Sequence, residues 1–276
     1  MSAVLIIAGK EIRDGVRNRW AVTATVVLAG LALALAFLGS APTGHVGVPP
    51  LAVTVVSLTS LTVLLVPLIA IILSYDALVG EIERGTMLLL LAYPVRHWEV
   101  VAGKFLGHTA LLGCATVIGY GAAGVVIAAT AKGSTAGQWP AFSVLIATSV
   151  GLGAAFLALG YLISSTVRER ATAAGIAVGV WLLLVLLFDM GLLGFLAATQ
   201  GRGISASLFR WILMLDPADI FRLINLASFT DVRKYSGMAG LSAQAQVPPG
   251  TLAAALLAWI AAPLGLTIAI FGRRQL

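Results

Sequence analysis

Charged residues are scarce in this sequence. Only 10% of the 276 residues are Asp, Glu, Lys or Arg, against about 25% in an average soluble domain. Hydrophobic residues make up 60% of the chain, and the mean hydropathy is +1.03. So little polar surface cannot keep a folded chain of this length in water. The composition therefore excludes a water-soluble globular protein and predicts an all-α protein that spans a lipid bilayer.

Cysteine is almost absent as well. Cys114 is the only one and lies inside an apolar run, so the sequence excludes an internal disulfide and a cysteine-rich metal site. The histidines and internal methionines are scattered among loops and spans and form no ladder along one helix, as a path for a soft metal would require. Paired carboxylates and Ser/His/Asp sets at a common depth are missing too. We therefore expect neither a metal site nor an enzyme inside the membrane.

Six apolar runs are long enough to cross a bilayer. A hydrocarbon core of about 30 Å needs about 20 helical residues, because an α-helix rises about 1.5 Å per residue. Charged residues or Gly/Pro-rich turns bound each run. The sequence therefore predicts one transmembrane domain over residues 1–276 with six spans, at residues 21–38, 51–75, 105–130, 141–166, 171–190 and 251–271.

The net charge of +6 does not come from a single basic stripe or tail. The basic residues lie between the apolar runs, which is typical of the orientation signal of a membrane protein, so no nucleic-acid partner is expected. Almost all basic residues in short loops fall on one side of the predicted spans. The exception is Lys132. We therefore expect both termini and the loop 76–104 in the cytoplasm of a bacterium, the chain in its inner membrane, and the segment 198–250 in the periplasm.

Three features are not explained by the apolar spans alone. Before the first span, apolar residues recur at helical spacing and predict a helix in the cytoplasmic interface; they are Leu5, Ala8, Ile12, Val16 and Trp20. The segment 198–250 carries two more amphipathic stripes, the second starting with Asp216 as N-cap and Pro217 in the first turn. Lipid headgroups or a partner protein would cover these stripes. Asp189 is the only carboxylate in an apolar run, and we expect it near the outer edge of the bilayer with a solvated carboxylate.

The loop 76–104 contains a short apolar helix. A charged helix end is followed by the break Gly85-Thr86, where Thr86 can cap a new helix, and Pro94 ends that helix. The stretch 88–93 is too short to span a membrane and too apolar to lie in water. It is therefore predicted to dock into a groove on another protein. A re-entrant or interfacial helix is the alternative.

This loop resembles the cytoplasmic loop of type-2 ABC permeases. The resemblance rests on Glu83-Arg84-Gly85-Thr86, the Leu-rich stretch, Pro94-Val95-Arg96 and Gly103-Lys104, and it extends to the whole architecture. It implies a permease half with no catalytic residues, because the chain has no phosphate-binding loop of its own. It also implies a second copy of the chain, a separate cytoplasmic ATPase dimer that binds ATP and Mg, and no cofactor in this chain. The implied coupling residues are Glu83, Arg84, Gly85, Thr86, Leu89, Leu90, Tyr93, Pro94 and Arg96.

Three further features are the opening Lys10-Glu11…Asp14-Gly15…Arg17-Asn18-Arg19-Trp20, the chain length, and Asp216-Pro217-Ala218-Asp219-Ile220-Phe221-Arg222-Leu223. In these the chain resembles, within this family, the permease subunit of the transporter that matures nitrous oxide reductase in denitrifying bacteria. That resemblance implies a periplasmic β-helical accessory protein and a role in assembling a copper–sulfur centre, and it allows a sulfur-containing substrate. The implied docking residues for the periplasmic partner are Leu208, Trp211, Asp216, Pro217, Phe221 and Arg222. A type-2 ABC exporter permease for an unrelated substrate and a secondary transporter are the alternatives.

Overall fold

The computed structural model describes residues 2–17, 19–39, 50–130, 139–199, 205–228 and 247–274. In these ranges the chain forms α-helices and one π-helical turn and contains no strand. The helices are, in chain order, α1 (Ala3–Arg17), α2 (Trp20–Gly39), α3 (Pro50–Ser74), α4 (Val79–Glu83), α5 (Thr86–Leu91), α6 (His97–Thr130), α7 (Trp139–Thr166), α8 (Arg170–Leu182), α9 (Phe188–Thr199), α10 (Ala206–Leu213), α11 (Pro217–Ser228) and α12 (Pro249–Arg273). The π-helical turn Leu183–Leu187 joins α8 to α9 without a break.

Five stretches of the described chain are long and apolar enough to cross a membrane. They are Ser57–Glu83, His97–Ala129, Trp139–Thr166, Arg170–Thr199 and Pro249–Arg273. They correspond to the predicted spans 51–75, 105–130, 141–166, 171–190 and 251–271. The predicted span 21–38 lies on α2, of which Val22–Ala34 forms a shorter apolar helix. The chain is therefore a multi-pass membrane protein that is all-helical in its described ranges, and the sixth span remains a prediction.

Helix α7 forms the centre of the bundle. Its buried side chains face α3, α6, α8, α11 and α12 and include Leu145, Leu152, Phe156 and Tyr161. At Gly160, a Cβ atom would meet the side chain of Ser74 on α3, so only glycine permits this close approach of the two helices. The stretch Arg170–Thr199 leaves most of its apolar side chains exposed. Lipid or another protein must cover that face.

The N-terminal helix α1 packs along α6. Ile7, Ala8 and Glu11 are buried in this contact, whereas Leu5 and Val16 are exposed. The exposed residues belong to the predicted interfacial stripe, which is consistent with a helix whose outer face contacts lipid. The sequence pattern did not indicate that Glu11 would be buried.

Several predicted boundaries differ from those of the structure. Helix α6 begins at His97, eight residues before the predicted span 105–130, and the helix that starts at Arg170 continues to Thr199 instead of ending near residue 190. Gly85, with φ of 70°, is the N-cap of α5, and Thr86 is its first residue. The prediction that Thr86 caps this helix is therefore wrong. A positive φ is readily adopted only by glycine. The N-cap of α5 therefore falls at Gly85, one residue before Thr86.

The segment 205–228 packs against other helices of the bundle more closely than the sequence suggests. Helix α11 lies against α7 and α12, and Ala218, Ile220 and Phe221 are fully buried there. The Trp259 indole of α12 donates a hydrogen bond to the Met214 carbonyl between α10 and α11, at 3.1 Å. The second amphipathic stripe is therefore covered by this chain itself. Parts of the predicted segment 198–250, residues 200–204 and 229–246, lie outside the described residues.

Candidate functional site

Helix α5 presents apolar side chains to the outside of the bundle. Leu88, Leu89 and Tyr93 are 58%, 69% and 69% exposed, whereas Met87 on the opposite face is fully buried. We call the three exposed side chains the loop surface. A helix of six residues is not stable by itself, so Met87 must hold it in place. The loop surface is therefore apolar, exposed and held in a fixed position, as a docking surface requires.

The chain reverses between α4 and α5 at Gly85. The positive φ of Gly85 allows the turn, and the Thr86 hydroxyl donates a hydrogen bond back to the Glu81 carbonyl at 3.2 Å. A side chain at position 85 would meet nothing within 4 Å, so backbone conformation alone requires glycine here. The turn fixes the direction of α5 relative to α4.

Two neighbouring elements hold α4. The Ser164 hydroxyl of α7 accepts hydrogen bonds from the backbone N–H groups of Leu78 and Val79, both at 3.0 Å, and satisfies the first turn of α4. On the side of α8, the Asp76 carboxylate accepts a bond from the Arg170 guanidinium at 2.8 Å, and Glu83 accepts one from the Arg170 backbone N–H at 2.7 Å. A displacement of α5 would therefore reach both α7 and α8 through short polar contacts.

A buried ion-pair network connects α4 to α1 and α6. Lys104 Nζ of α6 lies 2.7 Å from Glu11 Oε1 of α1 and 2.8 Å from Glu81 Oε1 of α4. The side chain of Lys104 is only 3% exposed, so its charge depends on these two carboxylates. Lys10 lies at the outer side, 3.4 Å from Glu11. One network of ion pairs thus joins α1, α4 and α6, which are distant from one another in the sequence.

His108 extends this network into the bundle. Its Nε2 atom lies 3.4 Å from Glu11 Oε2, and its Nδ1 atom lies 2.8 Å from the Tyr161 hydroxyl of α7. Burial alone would raise the pKa of Glu11, but the hydrogen bond from His108 and the charge of Lys104 outweigh burial and hold that pKa well below its usual range. Glu11 therefore stays ionised at neutral pH. Next to the network lies a cavity of about 470 Å³ between α1, α3, α4 and α6.

The predicted coupling residues lie in one stretch of the chain, from residue 83 to residue 96. Leu90 is half-buried and packs against the core, and the others are exposed; these are Glu83, Arg84, Gly85, Thr86, Leu89, Tyr93, Pro94 and Arg96. The hydrogen bond that Glu83 accepts from the Arg170 backbone N–H ties this stretch to the start of α8. No sequence pattern indicated that Glu11, Glu81, Lys104, His108 and Tyr161 would form a network. Lys104, directly before the predicted span 105–130, was the available signal, because a lysine that enters the bundle needs a carboxylate partner.

The predicted docking residues of the segment 205–228 separate into two groups. Leu208 and Trp211 on α10 are 51% and 68% exposed, as a docking surface requires, whereas Asp216 and Phe221 are fully buried and cannot contact a partner in this conformation. Asp216 is the N-cap of α11 as predicted, since its Oδ1 accepts a bond from Ala218 N at 3.1 Å. Pro217 is the first residue of α11.

Arg222 joins α11 to α9. Its Nη1 atom lies 2.6 Å from Asp189 Oδ2 and 2.9 Å from Asp219 Oδ1. The Asp189 side chain is 26% exposed and is ion-paired with Arg222, a partner that the sequence pattern did not indicate. Carboxylate oxygens of Asp189, Asp216 and Asp219 lie within 4.8 Å of one another. We call these three carboxylates, with Arg222, the acidic cluster.

Comparison with known proteins identifies the family. The model of the ABC-2 family transporter proteins matches residues 5–276. Two similar proteins are each named "Probable ABC transporter permease protein NosY". The one from Stutzerimonas stutzeri is 44% identical over 276 residues, which cover 99% of both chains. The one from Pseudomonas aeruginosa is 43% identical over 277 residues, which cover 100% of both. This chain is a multi-pass helical bundle and is matched over almost its whole length. It therefore belongs to the ABC-2 family of ABC transporter permeases.

Proposed function

We propose that this chain is the membrane half of an ABC transporter and that the loop surface docks onto a separate cytoplasmic ATPase subunit. ABC transporter permeases work with an ATPase partner, and this chain contains no phosphate-binding loop. The observation that carries the proposal is the exposure of Leu88 and Leu89 on α5, and of Tyr93 just after it, while Met87 on the opposite face of α5 is buried. Two copies of the chain would present two loop surfaces to an ATPase dimer, which binds the ATP and Mg.

The contacts behind α5 supply a route for movement into the bundle. A push on α5 acts on α4 through Gly85, and α4 is bonded to α7 by Ser164 and to α8 by the Arg170 backbone N–H. The same helix reaches α6 and α1 through Glu81, Lys104 and Glu11. Alternating access follows if closure of the ATPase dimer moves these helices together as a unit.

The orientation and the sixth span belong to this proposal. The short-loop bias of basic residues supports cytoplasmic termini and a bacterial inner-membrane location. The apolar run 21–38, on α2, supports a sixth span. Under this orientation α4, α5 and the ion-pair network face the cytoplasm, and the exposed side chains of Leu208 and Trp211 face the periplasm.

The proposed physiological role is the maturation of nitrous oxide reductase. It is supported by full-length similarity to two proteins named NosY. In this role the transporter moves a substrate, of which a sulfur species is one candidate, or passes a signal to the periplasm for assembly of the copper–sulfur cluster. Leu208 and Trp211 on α10 are the proposed contact for a periplasmic β-helical partner. Export of an unrelated substrate by the same coupling machinery is the competing function. The sequence of the loop indicates that the chain couples to an ATPase, but it does not indicate which substrate is transported.

The test of coupling is a charge placed on the loop surface. We expect Leu89→Glu to prevent docking, because a carboxylate would be buried without a partner in an apolar groove. The matched control is Leu89→Met, which keeps volume and hydrophobicity. The measurement is the ATPase activity of the purified complex and the amount of ATPase subunit that copurifies with the permease. Full activity and full copurification in Leu89→Glu would contradict the proposal.

A further inference from the structure

The acidic cluster contains more negative charge than its neighbours balance. One guanidinium, Arg222, faces three carboxylates, and Nη1 contacts Asp189 and Asp219. Asp216 is fully buried, and Asp219 is 7% exposed. The Oδ2 atoms of Asp216 and Asp219 have no hydrogen-bond partner although both are buried. An ionised carboxylate with unpaired oxygens away from water is strongly unfavourable, so something else must bind here.

The described elements that pack around α11 supply no second cation. Helices α3 and α7 contain no Asp, Glu, Lys, Arg or His, the π-helical turn contains none, and the only such residue of α12 is Arg273 at its far end. Asp189 is the only charged residue of α9. In the described part of α10, Arg210 makes no ion pair with these carboxylates, and its Nε atom is itself buried without a partner. Among the residues that the structure describes, none therefore supplies the missing positive charge, and we look for it in solution.

A proton fits this site better than a metal ion. Nη1 of Arg222 already lies within 3 Å of two of the three carboxylates, where a metal ion would have to lie, and it repels a second cation. Calcium requires six to eight oxygen ligands, and magnesium keeps several waters, whereas Asp216 is closed off from water. A proton needs only one carboxylate oxygen and converts an unpaired acceptor into a donor for its neighbour.

We propose that the acidic cluster is a proton-binding site that controls how firmly the segment 205–228 is attached to α9. With the proton bound, Arg222 pairs with Asp189 and the remaining carboxylates do not repel each other. When the proton leaves, Asp189 on α9 and the two aspartates of α11 all carry charge within 4.8 Å of one another. That repulsion acts directly between the two elements and loosens their contact.

The ionisation properties of the cluster agree with this geometry. Burial raises the pKa of Asp216 to about 7, with a further contribution from the charge of Asp219. Burial and the charge of Asp189 raise the pKa of Asp219 to about 6. Both groups therefore hold a proton in the attached state at a pH where the detached, solvated groups would be ionised. Attachment should be strongest near pH 4, should weaken as the pH rises, and should level off above about pH 7.

The direct test is infrared spectroscopy of the full-length chain in lipid nanodiscs. Wild type should show a protonated-carboxyl C=O band that disappears as the pH rises through about 7. Asp216→Asn and Asp219→Asn should each reduce this band. The matched control is Asp14→Asn, which removes a carboxylate on α1 whose side chain is 49% exposed and should leave the band unchanged. Absence of a titrating band in wild type, or an unchanged band in both cluster variants, would overturn the proposal.

Hydrogen exchange tests the mechanical consequence. After correction for the intrinsic pH dependence, amides of α11 in wild type should exchange several-fold faster above pH 7 than near pH 5, because ionisation weakens attachment. In Asp216→Asn this difference should shrink, since asparagine carries no charge at any pH. Equal exchange in wild type at both pH values would contradict the switch. Slower exchange on addition of Mg²⁺ or Ca²⁺, with no effect of pH, would assign the site to a metal ion instead.

Discussion

Lys104 and Glu11 lie 93 positions apart in the chain and share a contact of 2.7 Å. Neither group could be buried alone, because an unpaired charge away from water costs several kcal/mol. Their pairing therefore fixes the position of α1 on α6 by electrostatics as well as by packing. Glu81 adds a second carboxylate from α4. A substitution of Glu11, Glu81 or Lys104 therefore alters the contacts between α1, α4 and α6.

Replacing Glu11 with Gln should destabilise the protein. The substitution leaves Lys104 with a single carboxylate partner, and we expect a loss of about 2 kcal/mol in the free energy of unfolding. The measurement is unfolding by SDS in mixed micelles. Glu11 has a depressed pKa in the folded state, so its contribution is present above the unfolded pKa of about 4.5 and is lost as the pH falls. The difference between wild type and Glu11→Gln should therefore shrink in acid. A difference that is absent at neutral pH would contradict the ion-pair assignment.

Replacing Ser164 with Ala should loosen α4. The buried N–H groups of Leu78 and Val79 would lose their acceptor, at a cost of about 2 kcal/mol. Ser165→Ala is the matched control, because the Ser165 hydroxyl donates only to the Leu162 carbonyl in its own helix and its removal should cost less than about 1 kcal/mol. Unfolding measurements would compare the two variants. Equal losses would mean that Ser164 does not cap α4.

At the scale of elements, glycines set how closely α1 approaches α6. A Cβ atom at Gly107 would lie 2.6 Å from Glu11 Cβ and 2.9 Å from the Ala8 carbonyl oxygen. The Ala8 oxygen belongs to the backbone, and the Glu11 Cβ atom is bonded directly to it. Neither atom can move unless α1 shifts as a whole. The close contact and the ion pair beside it therefore depend on each other.

Gly107→Ala should push α1 away from α6. We expect a loss of about 1–3 kcal/mol from overpacking and a weaker Glu11–Lys104 contact. The matched control is Gly113→Ala on the same helix, where a Cβ atom would meet Val150 at an ordinary 3.6 Å. Cross-linking of α1 to α6 and unfolding in SDS are the measurements. If Gly107→Ala were as stable as Gly113→Ala, α1 would not pack on α6 as closely as described.

The elements differ in how well the sequence predicts them. The long apolar runs predicted the helices of the five candidate spans to within about ten residues, because hydrophobicity and length decide whether a helix can cross a bilayer. The sequence also predicted the short helix α5, since Gly85 and Pro94 interrupt the helical pattern. It did not predict which face of α1 or α11 would meet a neighbour. That choice depends on contacts such as Glu11–Lys104 and Arg222–Asp189, which no local pattern encodes.

At the scale of the whole molecule, the two ends of the bundle are held together by different sets of contacts. One end gathers α1, α4, α5 and the start of α8 around the ion-pair network, and Arg274 joins it by donating to the Ser165 and Val167 carbonyls. The other end holds the segment 205–228 against α7, α9 and α12. Helix α7 runs between them and contacts both. A permease that couples an ATPase on one side to an event on the other needs such a continuous element.

The most direct test of the account is complementation in a bacterium that makes nitrous oxide reductase and lacks its own copy of this gene. Wild type, Leu89→Glu and Leu89→Met would be expressed at matched membrane levels, and the activity, copper and sulfide content of the purified enzyme would be measured. The account predicts an active, loaded enzyme with wild type and Leu89→Met, and an inactive, cluster-deficient enzyme with Leu89→Glu or no permease. A fully loaded and active enzyme without the permease would contradict the maturation role, and full rescue by Leu89→Glu would contradict coupling through α5.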